Sequence, residues 1–159
     1  MRRATERGFT LIEIMIVVAI IALLAAIAIP NVLRGRASAN ETASIGNMRA
    51  MLSSLEMYRS VNNAYPDAWS KMGSATPPFY PQPFQTLPNT VQGFAYAYTY
   101  TDANTYAITG IPQTPGTTGS RQFLTNQSGL IRHCLSTSSS VVVTTASNTI
   151  DASPNTTCP

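Results

Sequence analysis

One acidic residue, Glu13, lies inside the most apolar stretch of the chain, the run from Phe9 to Ile29. A carboxylate in a membrane span costs about 2.5–3.5 kcal/mol at mid-helix, less one turn from the end, unless a cation meets it at the same depth. The run itself holds no Lys, Arg or His. Cleavage between Gly8 and Phe9 would supply the missing partner, a new α-amino group four residues before Glu13. In a stack of identical subunits, Glu13 of one chain can then meet the Phe9 amine of the next. The burial penalty becomes a device that sets axial register.

The other residues with chemical potential are sparse. Cys134 and Cys158 are the only cysteines and His133 the only histidine. Two thiols and one imidazole do not complete a structural zinc site. A disulfide is the better reading if that region lies outside the cytoplasm. No nucleophile–base arrangement and no glycine-rich phosphate loop is present, so we expect neither an enzyme nor a cofactor. Formal charge is +3, but Arg2, Arg3, Arg7 and Glu6 all precede Phe9, and the remainder carries only +1. Between Lys71 and Arg121 there is no basic residue. Nucleic acid is therefore not an expected partner.

Positioning Glu13 requires a helix. A bilayer core needs about 20 apolar residues in helical form, and Phe9 to Ile29 is just long enough. The arginines before it place the N-terminus in the cytoplasm and the chain after Pro30 on the outer side. An ordinary secretory signal with Ala26-Ile27-Ala28 as cleavage site fits less well, because the apolar run is too long and carries a carboxylate. A plain uncleaved anchor leaves Glu13 unexplained. Pro30 removes one helix hydrogen bond, so a kink or local unwinding is expected there. Helical signals then resume: Ile45, Met48, Leu52, Leu55 and Tyr58 recur at steps of three and four, and Asn62-Asn63 ends the pattern.

The segment Arg7-Gly8-Phe9-Thr10-Leu11-Ile12-Glu13, continued by the apolar run to Pro30, resembles the class III signal of type IV prepilins and type II secretion pseudopilins. The resemblance covers about the first fifth of the chain. It implies that a prepilin peptidase cuts after Gly8 and N-methylates Phe9, which leaves the amine cationic. It also implies that Glu13 supports methylation and assembly, and that Pro30 stands at the family's spacing. The implied partners are copies of the same chain in a helical filament, together with the pilus or secretion assembly machinery of the inner membrane. Many pseudopilins of the major secretion class carry a calcium site of C-terminal carboxylates; only Asp102 and Asp151 follow Asp67 here, so no metal is expected.

Beyond residue 63 the pattern changes. Tyr65-Pro66 opens a proline-rich loop (Pro77, Pro78, Pro81, Pro83, Pro88) that runs to about Thr90, with Trp69, Phe79, Tyr80 and Phe84 expected to pin it to the domain. Phe94, Tyr96, Tyr98 and Tyr100 alternate with small residues as in a strand, with a turn at 101–104 and a return strand over 106–111. A second hairpin is expected over 122–125 and 130–135, and an edge strand over 141–145. The fold class is thus α+β: one long helix, membrane-spanning in its first half and amphipathic in its second, on an antiparallel sheet of about four strands. The organisation reads as leader 1–8, polymerisation helix 9–30, amphipathic helix 31–63 and head 64–159. A Cys134–Cys158 bond would close a loop of about 25 residues, contributing roughly 3–4 kcal/mol, and resembles the C-terminal loop of many pilins. The leading reading is a type IV pilus subunit, single-pass in the inner membrane with its head outside, later extracellular. The alternatives are a periplasmic pseudopilin of a type II secretion system, a minor pilin, or a membrane-tethered binding domain that never polymerises.

Overall fold

The computed structural model describes residues 9–81 and 83–136. The expected leader 1–8, the edge strand over 141–145 and Cys158 lie outside the described residues. The chain divides between Gly35 and Arg36 into two units.

Helix α1 (Leu11–Asn62, 52 residues) contributes to both. Its apolar part is long and hydrophobic enough to cross a membrane, and in the single chain none of that stretch is buried. Helical hydrogen bonding continues through Pro30. The local unwinding expected there does not occur, because a proline removes only its own donor and the neighbouring turns carry the helix on. At the other end, Asn63 adopts a left-handed conformation (φ 56°) and its N–H donates to the Arg59 carbonyl at 2.8 Å. This is a single-bond C-terminal cap, which asparagine tolerates better than most residues.

In the second unit, α1 buries Ser44, Met48, Met51 and Leu55, with Ile45, Leu52 and Tyr58 half-buried beside them. The stripe is rotated slightly from the one read in the sequence, since Met51 is fully buried. The sheet is a five-stranded meander in the order β1-β2-β3-β4-β5: β1 (Asn89–Val91), β2 (Phe94–Asp102), β3 (Thr105–Pro112), β4 (Arg121–Asn126) and β5 (Arg132–Leu135). All neighbouring strands are antiparallel. The expectation of about four strands with an edge strand over 141–145 therefore misses β1, which is too short to show a period. Gln92 and Gly93, both with positive φ, form the two-residue turn that joins β1 to β2.

Phe94, Tyr96, Tyr106, Ile108 and Phe123 face the buried side of α1 and complete the core with Tyr65, Trp69, Met72 and Phe84. Gly110 marks a close approach of sheet and helix, since a Cβ there would stand 3.2 Å from Ser44 Oγ. The proline-rich segment is pinned as expected: Trp69 Nε1 donates to the Phe84 carbonyl at 2.7 Å, and the Tyr98 hydroxyl donates to the Pro66 carbonyl at 2.6 Å. It also contains a short 3₁₀ helix over Trp69–Gly73, within the stretch that reads as loop in the sequence. Pro66 and Pro77 flank that turn without entering it.

Candidate functional site: the N-terminus of the long helix

Thr10 immediately precedes α1, and Glu13 lies in its first turn. The Thr10 N–H and the Thr10 hydroxyl both donate to Glu13 Oε2, at 2.8 and 2.7 Å. The Glu13 N–H donates back to Thr10 Oγ1 at 3.3 Å. This is a reciprocal capping box, which satisfies two donors that a helix start otherwise leaves open. The signal was present in the sequence as Thr-x-x-Glu ahead of an apolar run, and reading Glu13 only as a buried charge overlooked it. Glu13 Oε1 makes no hydrogen bond among the described residues. One carboxylate oxygen therefore holds the helix start while the other stays available. Phe9 beside it is highly exposed, at 84%, and Gly8 lies outside the described residues.

Around this site the surface of α1 is apolar on every side. Leu11, Ile12, Ile14, Met15, Ile16, Val17 and Val18 are all more than half exposed. A single chain in water cannot keep such a surface uncovered. Bilayer or copies of the same helix can cover it.

A family model, the prokaryotic N-terminal methylation motif, matches residues 3–29. The type II secretion system core protein G of Dickeya chrysanthemi is 31% identical over 125 residues, covering 69% of this chain and 82% of that protein. The chain belongs to the type IV pilin and type II secretion pseudopilin family. Other pilin-family relatives match over shorter lengths. The core protein G of Pseudomonas aeruginosa is 44% identical over 66 residues, which are 42% of this chain and 46% of the relative. The type IV wide pilus major component of Thermus thermophilus is 49% identical over 59 residues, 37% and 45% of the two chains. The chain thus spans about half the length of most of these curated relatives. No solved structure matches it.

The remaining sequence candidates lie elsewhere. Pro30 is inside α1, seventeen positions beyond Glu13 and apart from the capping box. Cys134 is buried on β5 opposite Gln122. His133 is also on β5, with its ring 6.4 Å from that of Phe123 and its Nε2 buried without a hydrogen bond. Among the described residues no three or more His, Cys, Asp or Glu side chains gather as a metal site would require. In the head, the Tyr65 hydroxyl donates to Glu56 and accepts from Arg59 Nη1 at 3.0 Å. Burial, and then the bond to Glu56, push the Tyr65 phenol above its ordinary value. These contacts hold Tyr65 against the last turns of α1.

Proposed function

We propose that this chain is a structural subunit of a type IV pilus-like filament, cut between Gly8 and Phe9, methylated on the new amine and assembled through α1. The observation that carries this reading is the half-engaged Glu13. Its Oε2 completes the capping box while Oε1 has no partner among the described residues, on a helix whose surrounding surface is apolar. The Phe9 amine of a neighbouring copy supplies the cation that Oε1 lacks. Before assembly the apolar half of α1 sits in the inner membrane with the head outside the cytoplasm, and the same surface then packs against other copies in the filament. In the head, a Cys134–Cys158 bond staples the C-terminal segment.

A second reading, a pseudopilin in a short periplasmic assembly, is favoured by the broad match to a type II secretion core protein G. Shearing cells at native expression separates the two. Long fibres made mainly of chains that start at methylated Phe9, with the two cysteines bonded, establish the pilus subunit. Mature protein kept in the envelope, with no fibres, establishes the pseudopilin or a minor subunit. Glu13→Gln then tests the pairing, because a glutamine carbonyl still accepts both Thr10 bonds but carries no charge. Loss of filaments with stable membrane-held protein is expected. Wild-type fibres from Glu13→Gln would refute the pairing.

A further inference from the structure

A cleft of about 300 Å³ opens between α1 and the β4–β5 hairpin, lined by Ile45, Arg49, Phe123, Leu130, Ile131 and His133. Its floor is apolar: Phe123 is buried, and Ile45 and Ile131 are half-buried. Leu130 stands at its rim, 60% exposed. Arg49 is exposed and has neither an ion pair nor a hydrogen bond among the described residues. The cleft therefore offers apolar walls and one uncommitted guanidinium.

The complement lies on the same domain. At the β2–β3 turn, Tyr100 is 37% exposed and its hydroxyl has no partner among the described residues. Two positions on, Asp102 is exposed, and its carboxylate accepts only from its own turn, the Asn104 N–H and the Thr105 hydroxyl, both at 2.7 Å. The other described carboxylates of the head have a side-chain partner: Glu41 meets Arg121 and also the Ser120 N–H, Asp67 meets Lys71 four positions on, and Glu56 takes the Tyr65 hydroxyl. An exposed aromatic beside a carboxylate that has no ion pair among the described residues is the shape and charge that the cleft lacks.

The two features cannot meet within one chain, because they sit at different heights along α1. The turn is tied to the helix end by Arg59 to Asn104 and by Tyr65 N–H to the Ala103 carbonyl. The cleft is tied to Ile45 and Arg49. At 1.5 Å per residue the offset is roughly 15–25 Å. Copies shifted by that amount along a shared helix direction bring the turn of one to the cleft of the next.

We propose that the β2–β3 turn of one subunit docks into this cleft of another copy, with Asp102 on Arg49 and the Tyr100 ring against Leu130 and Ile131. The contact is heterologous, and because each copy is shifted along the helix direction it propagates as an open array and does not close into a ring. A guanidinium–carboxylate pair at the rim fixes register and rejects the wrong one, since like charges repel there. This inference rests on the filament reading.

The test uses the full chain with Arg49→Glu, Asp102→Arg and the double charge swap. We expect each single reversal to cut sheared filament mass about ten-fold or more, and the swap to restore it to within about three-fold of wild type. Singles that assemble like wild type, or a swap no better than the singles, overturn the proposal while the filament reading stands. Absence of wild-type filaments overturns both. A second measurement covers variants that fold poorly: a photo-crosslinking amino acid at Leu130 in otherwise wild-type filaments. Adducts with the 100–104 segment of another copy support the contact, and adducts confined to other segments refute it.

Discussion

Two tyrosines on neighbouring strands should respond to the same substitution with opposite signs. Tyr106 is 2% exposed, and its hydroxyl has no hydrogen bond. The ring is well placed, with Tyr65 at 4.4 Å and Tyr98 at 5.9 Å between centroids. Tyr106→Phe keeps that packing and removes only a buried polar atom without a partner. Such an atom costs about 1–3 kcal/mol, so the variant should be more stable by about 1 kcal/mol or more. The Tyr98 hydroxyl, by contrast, donates to the Pro66 carbonyl at 2.6 Å. Tyr98→Phe discards that bond and strands a carbonyl, and should cost about 1–2 kcal/mol. For a domain of this size each kcal/mol moves the melting midpoint by roughly 4–8 °C. The readout is built in: Trp69 is the only tryptophan, is nearly buried, and lies 5.6 Å from Tyr98. Denaturation of the full chain in detergent, followed by its fluorescence, reports the head directly. If Tyr106→Phe destabilises as much as Tyr98→Phe, the unpartnered hydroxyl argument is wrong.

Alkaline pH provides a separate check. Burial, as the largest cause, pushes the phenols of Tyr65, Tyr96, Tyr98 and Tyr106 above their ordinary value. A raised folded value means that stability is full below the unfolded value, about pH 10, and falls as pH rises beyond it. Denaturation midpoints should hold steady below about pH 10 and drop above it; a flat profile through about pH 11 contradicts this. At the end of α1, Asn63→Ala should cost about 1 kcal/mol, because alanine resists the left-handed conformation, while Asn63→Gly should be close to neutral. Thermal melts of the two variants decide it, and equal losses would remove the cap argument. Gly119→Ala would place a Cβ 2.6 Å from the buried Phe94 ring. That should destabilise by about 1–3 kcal/mol, and an unchanged midpoint by the same fluorescence would show that the ring yields freely.

Much of this architecture was legible in the sequence because its signals are long or strictly periodic. The apolar run needs only hydropathy to be recognised. The β2 strand shows itself by alternating aromatics, although burial on that face ends at Tyr98 and Tyr100 emerges at the turn. Features one turn long escaped. Strand β1 has three residues, and the 3₁₀ helix at Trp69 has five. The core stripe of α1 was read nearly in phase, but Met51 enters it because of where the sheet lies, which periodicity along one helix does not encode. Glu13 was singled out by its charge. Its bonds to Thr10 depend on the chain turning into a helix just there. The cleft at Arg49 joins residues some eighty positions apart, so spacing along the chain carried no trace of it.

The strand order bears on how the head is made. Among the described residues every strand of the sheet pairs with the strand next to it in sequence, from β1 through β5, and none waits for a distant partner. Loop-closure entropy is then paid in small steps, and contacts of short sequence separation favour fast folding. On the export proposed above, the amphipathic half of α1 would emerge first and each hairpin afterward in order. The head can grow strand by strand on an amphipathic helix already in place. Among the described residues the last strand delivered is β5, which carries Cys134, so a bond to Cys158 would close after that strand.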